Sequence, residues 1–226
     1  MNNPGTFWTT LKCVALDFDG VIVDSMPTQE RIWRDVAREV FGNTWLETKL
    51  IENLYDGKSR DRMFENIELT GEQRRRLREE KDRLWFAERD RVELREGVRN
   101  YMPILRAHYE IVIATTADFK YVDHVLHREK LSPYVSFIIT DDDVPHGKPC
   151  PDMILKIGSR LSISNTEICL VGDTETDLEM SRRAACRFVL MTANPVAKDC
   201  LQVRDWHELI ALIQSNNFSG LSASRG

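Results

Sequence analysis

Two acidic segments mark where this chain could do chemistry. Asp17-Phe18-Asp19-Gly20 ends the apolar run from Cys13 to Phe18, so two carboxylates stand two residues apart at the end of a predicted strand. Side chains at that spacing share a face of the strand, and Gly20 allows a tight turn after them. Two crowded acids repel unless a cation lies between them. Read alone, the segment also fits an ordinary polar turn. A second set, Val171-Gly172-Asp173-Thr174-Glu175-Thr176-Asp177, ends another apolar run. Adjacent parallel strands lie ~5 Å apart, so Asp173 approaches Asp17 and Asp19 if the two strands are neighbours. Asp173 also suits a helix N-cap. Hard oxygen donors without nearby His or Cys suit Mg²⁺ and argue against zinc or copper.

Two further strand ends offer partners for an anion. Ile111-Val112-Ile113-Ala114 runs into Thr115-Thr116, and Asp141-Asp142-Asp143 is followed by His146-Gly147-Lys148-Pro149. A hydroxyl and backbone N–H groups can donate to phosphate oxygens, and a lysine offsets their charge. Each is unremarkable singly, since a Thr often ends a strand and Gly-Lys-Pro is common in solvated loops. Acid, hydroxyl, lysine and acid at successive strand ends of one chain form a pattern.

The elements that must position these residues follow from periodicity. Cys13 to Phe18, Ile111 to Thr115, Phe137 to Thr140, Ile168 to Val171 and Phe188 to Met191 are apolar at nearly every position, as in strands covered on both faces. Helical patterns separate them: Val98, Met102 and Leu105; Val122, Val125 and Leu126; Ile154, Leu155, Ile157 and Leu161. This alternation predicts an α/β fold, a doubly wound parallel Rossmann-like sheet, with ligands beyond the carboxyl ends of its strands. From about Met26 to Leu94 no strand signal occurs. Ile32, Val36 and Val40, then Leu46, Leu50 and Leu54, then Met63, Phe64 and Ile67 each read as helix, and a fourth helix opens at Thr70-x-x-Gln73 with a capping box. We therefore expect a core of residues 1–24 and 95–226 with an inserted α-helical cap over 25–94.

Composition bounds the partners. The chain has 226 residues, 42% hydrophobic and 30% charged, as expected of a globular protein. Its 31 basic and 36 acidic residues give a net charge of −5, which offers no general attraction for nucleic acid or an anionic membrane. No run reaches the ~18 apolar residues of a membrane span, and the first residues lack a secretory signal, so a cytoplasmic location is expected. The five cysteines are widely spaced without C-x-x-C, which points to neither disulfides nor zinc.

In order, Asp17-Phe18-Asp19-Gly20-Val21-Ile22-Val23-Asp24-Ser25, Thr115, Gly147-Lys148-Pro149-Cys150-Pro151-Asp152 and Gly172-Asp173-Thr174-Glu175-Thr176-Asp177 closely resemble the haloacid dehalogenase superfamily. Within it, the chain looks like the phosphoglycolate phosphatase and β-phosphoglucomutase branch, whose helical cap follows the first motif. The resemblance implies that Asp17 is the nucleophile forming an aspartyl-phosphate, and that Asp19 is the general acid and base. It implies Mg²⁺ held by the Asp17 carboxylate, the Asp19 carbonyl and Asp173, with Asp177 in support. Thr115 would hold a phosphoryl oxygen, Lys148 would neutralise charge, and Gly20 and Thr116 would line the substrate. Thr116 stands where many members have Asn, and Gln29 where several sugar-phosphate enzymes have His.

An acid at Asp19 suits an alkoxide leaving group and speaks against dehalogenation. The Asp56-Gly57-Lys58-Ser59-Arg60 segment is no nucleotide loop, because the glycine expected five residues before Gly57 is Glu52. Its resemblance to a Gly-x-Ser-Arg cap loop makes Lys58, Ser59 and Arg60 candidates for substrate binding. Arg74-Arg75-Arg76 and Arg78 read as a solvated helix face, His124 and His127 as surface residues, and Trp33, Trp45 and Trp85 as packing anchors. The expected activity is a Mg²⁺-dependent phosphatase of a small phosphorylated metabolite, a monomer or homodimer without nucleic-acid or membrane partners. The alternatives are a β-phosphoglucomutase-like phosphomutase and a non-catalytic metabolite sensor.

Overall fold

The computed structural model describes residues 8–42, 44–55, 63–194 and 199–218. In chain order the elements are β1 (Cys13–Leu16), β2 (Val23–Asp24), α1 (Met26–Phe41), α2 (Thr44–Tyr55), α3 (Gly71–Glu88), β3 (Glu93–Leu94), α4 (Val98–Arg106), β4 (Glu110–Thr115), α5 (Phe119–Arg128), β5 (Phe137–Thr140), α6 (Asp152–Leu161), β6 (Ile168–Gly172), α7 (Glu175–Ala184), β7 (Arg187–Met191), β8 (Leu201–Val203) and α8 (Trp206–Phe218). A six-stranded sheet has the order β5-β4-β1-β6-β7-β8, every pairing parallel.

Alternate residues of the central strands feed two cores. Val14, Leu16, Ile113 and Val171 face the layer of α4, α5 and α8, where Met102, Val125 and Leu209 are buried. Cys13, Ala15, Val112 and Leu170 face the layer of α6 and α7, with Ile157 and Leu178. Helices on both faces explain why the strands are apolar without alternation. The five cysteines form no disulfide, and Cys13 and Cys169 are buried in the sheet.

Helices α1 to α3 surround a third cluster that includes Ile32, Val36, Leu50, Phe64 and Leu77. Helix α1 ends at Gly42, left-handed at φ 59°, and α3 starts with the Thr70–Gln73 capping box. Three local expectations are corrected. Residues 63–66 form turns instead of a helix, closed by Arg74, whose guanidinium donates to Ile67 O at 3.0 Å and Leu69 O at 3.3 Å. Trp45 is half-exposed and no packing anchor. The stretch to Leu94 does contain a strand: β3 pairs antiparallel with β2, Val23 opposite Leu94 and Asp24 opposite Glu93. Two-residue strands are too short for periodicity to reveal, and the same holds for β8 at the sheet edge.

Side chains tie the segment after α3 to α5. Arg128 donates to Val92 O at 2.6 Å and Arg89 O at 3.2 Å, and the surface residue His124 bridges the same elements, its Nε2 2.5 Å from Asp90 Oδ1. Among the described residues, no helix is long and apolar enough to cross a membrane.

Candidate active site

Strand β1 lies between β4 and β6, so their carboxyl ends open together where the chain order reverses, the usual ligand position in such sheets. Asp17 N–H donates to Val171 O at 2.9 Å, extending the ladder one residue past β1 and setting the nucleophile candidate beside β6. The chain then turns: Ile22 N–H returns to Phe18 O at 2.9 Å, and Gly20 adopts φ +79°. A side chain at Gly20 would be strained, and its Cβ would fall 1.9 Å from Asp173 Oδ2. Trp206 Nε1 donates to Val21 O at 2.7 Å and anchors this turn from α8.

The acids converge as adjacency of the two strands requires. Ligand oxygens of Asp17, Asp173 and Asp177 all lie within 4.8 Å of one another. Lys148 enters from the loop before α6, almost fully buried, and ion-pairs with Asp17 Oδ1 at 2.9 Å and Asp177 Oδ1 at 2.7 Å. Burial disfavours its charge, but the two carboxylates outweigh that and hold the ammonium above the usual lysine range. Asp17 Oδ1 also accepts from Phe18 N–H at 2.7 Å. Burial pushes the Asp17 carboxyl up to about 7 against the pull of Lys148. The Asp173 carboxyl is also raised, by burial and by its acidic neighbours Asp17 and Asp177. Its Oδ1 is buried with no hydrogen-bond partner among the described residues. Three buried acids share one ammonium, so their ionised forms need a further positive charge, and an all-oxygen donor set fits a hard divalent cation such as Mg²⁺.

The remaining candidates divide. Asp19 is absent from that acidic triad, and its carboxylate accepts from Ser25 Oγ, to which Gln29 Nε2 donates at 3.2 Å. Burial raises the Asp19 carboxyl. A cleft of about 130 Å³ opens over the triad, lined by Asp17, Asp19, Lys148, Asp173 and Thr116. Thr115 is buried behind it, its Oγ1 accepting from Ala117 N–H at 3.1 Å. Lys58, Ser59 and Arg60 lie outside the described residues. The cleft wall also includes Trp33, Lys81, Trp85, Asp118 and Tyr121, which the sequence patterns did not mark as site residues. Lys81 was one charge among many on α3, and Tyr121 fell on the apolar stripe of α5. Trp33 and Trp85 do pack as anchors, but at the wall of the cleft.

The family model for haloacid dehalogenase-like hydrolases matches residues 14–191, from β1 to β7. The chain belongs to this family. Among curated relatives, a phosphorylated carbohydrates phosphatase of Thermotoga maritima is 23% identical over 180 residues, covering 77% of this chain and 82% of the relative. A phosphoglycolate phosphatase of Vibrio vulnificus strain YJ016 is 26% identical over 187 residues, covering 78% and 81%. Among solved structures, CbbY from Rhodobacter sphaeroides in complex with phosphate superposes with a TM-score of 0.73 at 17% identity, covering 90% of this chain and 99% of that one. Membership in a hydrolase family makes this chain an enzyme of that class.

Proposed function

We propose that this haloacid dehalogenase-like hydrolase is a Mg²⁺-dependent phosphatase of a small phosphorylated metabolite, acting through an aspartyl-phosphate on Asp17. The observation that carries this reading is the pinning of Asp17 by the buried Lys148, which Asp177 holds in turn. With Oδ1 fixed by Lys148 and Phe18 N–H, Asp17 attacks phosphorus through Oδ2, and the bond from phosphorus to the ester oxygen breaks. Asp19 carries the proton given to the departing alkoxide. It then takes a proton from water attacking the aspartyl-phosphate, which releases phosphate and restores Asp17. Asp17, Asp173 and the Asp19 carbonyl would hold Mg²⁺, which when bound supplies positive charge for the phosphoryl oxygens. Thr116 lines the cleft, while Thr115 orders the turn behind it through Ala117 N–H. Residues 25–94 serve as a cap on the core of 1–24 and 95–226, with Lys58, Ser59 and Arg60 as candidates for the substrate's distal end.

Relatives named for phosphorylated carbohydrates and phosphoglycolate support a small phosphorylated substrate, as does the cleft size. The test is phosphate release from a panel of phosphorylated metabolites, with Mg²⁺ or EDTA, by wild type and Asp17→Asn. We expect release that needs Mg²⁺ and vanishes in the variant while its melting temperature is kept. Substantial turnover by Asp17→Asn would overturn the covalent route, and an isomerised product without free phosphate would make the enzyme a phosphomutase.

A further inference from the structure

Two residues of the cleft wall carry buried donors without a partner among the described residues. Trp33 and Tyr121 line it, each 4% exposed, yet Trp33 Nε1 and Tyr121 Oη are buried and make no hydrogen bond within that set. Neither ring is free to turn toward a partner elsewhere. Tyr121 packs edge-on against Phe18 at 5.3 Å and Trp85 at 4.8 Å, and Trp33 against Phe64 at 6.1 Å. An unpaired buried donor is destabilising, and native proteins keep few of them without a use. Trp206, just as buried, shows the ordinary solution, its indole N–H bonded to Val21 O.

The placement of these donors says which part of a ligand they meet. Tyr121 packs on Phe18, the residue before Asp19, and on Trp85, whose ring centroid lies 5.2 Å from Lys81 Nζ; Trp33 stands one turn after Gln29, which reaches the Asp19 carboxylate through Ser25. Under the phosphatase reading, on which this inference rests, Asp19 protonates the leaving oxygen, and groups around it face the alcohol portion of the ester. We propose that Trp33 Nε1 and Tyr121 Oη form a leaving-group subsite selecting phosphomonoesters whose alcohol carries an acceptor oxygen, hydroxyl or carboxylate, near the ester. Lys81 in the same wall favours an acceptor and disfavours an ammonium. Met26 and Leu54 close the remainder with apolar surface, which keeps the alcohol compact.

Esters of matched size provide the test. Phosphate release is measured for glycerol phosphate against propyl phosphate, and for phosphoglycolate against phosphoethanolamine, with wild type, Tyr121→Phe and Trp33→Phe. Wild type is expected to prefer glycerol phosphate and phosphoglycolate. Tyr121→Phe removes one oxygen and should lower the glycerol-to-propyl ratio of kcat/KM roughly tenfold. Its melting temperature should hold or rise, because a buried unpaired hydroxyl is gone. Trp33→Phe should lower the same ratio. A ratio unchanged within twofold in Tyr121→Phe overturns the subsite while the phosphatase reading stands. A lower melting temperature with all four esters falling alike also overturns it, showing a structural role. No release from any ester overturns the phosphatase reading and this inference together.

Discussion

Replacing Gly20 by Ala should separate the geometry of the acidic cluster from the stability of the fold. Two effects act at this position. At φ +79° an L side chain is strained, which destabilises the native state by about 1–2 kcal/mol. The added Cβ would also stand 1.9 Å from Asp173 Oδ2 and 2.5 Å from its Cγ, so the carboxylate must retreat by about 1 Å to reach even a tight contact. A catalytic constellation tolerates about 0.5 Å, and a 1 Å misplacement can reduce rates about 10²-fold. Gly42→Ala supplies the control. Gly42 has φ +59°, but nothing lies within 4 Å of its built Cβ, so it carries the strain without the collision.

Both variants should melt roughly 2–8 °C below wild type, the range that 1–2 kcal/mol gives for a chain of this length. Only Gly20→Ala should lose about 100-fold in kcat/KM and require more Mg²⁺ for half-maximal phosphate release. Differential scanning fluorimetry and a Mg²⁺ titration of phosphate release measure the two quantities separately. Gly20→Ala with activity within threefold of wild type would refute the argument that Asp173 must sit where Gly20 lets it. Equal losses of activity in both variants would refute the separation itself.

Three more outcomes follow from the same contacts. Lys148→Met leaves Asp17 and Asp177 as buried acids without their cation, so it should abolish turnover and destabilise the protein by about 3–5 kcal/mol in urea unfolding. Saturating Mg²⁺ should raise the melting temperature over that in EDTA, by the equivalent of about 2.7 kcal/mol at a hundredfold excess over Kd, and Asp173→Asn should remove most of that shift. Trp206→Phe loses the bond to Val21 O and part of a buried ring, and urea unfolding should show a loss of about 1–3 kcal/mol.

What could be read from the sequence depended on how many residues carried each signal. Strands β1, β4 and β6 lie in the middle of the sheet, buried on both faces, and their unbroken apolar runs identified them. Once β1 and β6 pair, with Leu16 opposite Val171, the approach of Asp173 to Asp17 follows from strand spacing alone. The β2–β3 ribbon has two residues per strand, and no pattern of that length exists to be read. Tyr121 and Trp33 were hidden for a different reason. An aromatic residue on an apolar stripe looks the same whether its polar atom is bonded or not, and only the packed environment distinguishes the two cases.

Asp177 shows the limit most clearly. In the sequence it follows Asp173 by four residues, and the resemblance assigns both to the metal, Asp177 in support. The fold distinguishes them through Thr174. As the N-cap of α7, Thr174 gives its N–H to Asp177 Oδ2 at 3.1 Å and accepts from Asp177 N–H at 3.3 Å, so a helix cap fixes the acid in place. Gly172 makes room for it, since a Cβ there would meet Asp177 Cγ at 2.4 Å. With Oδ2 committed to the cap and Oδ1 to Lys148, Asp177 is fully buried and faces inward. Its charge keeps Lys148 protonated and positioned, and Lys148 in turn orients Asp17. The start of a helix thereby orients Asp17, the proposed nucleophile, on a different strand, and Asp173 keeps an oxygen unpaired among the described residues for the proposed Mg²⁺.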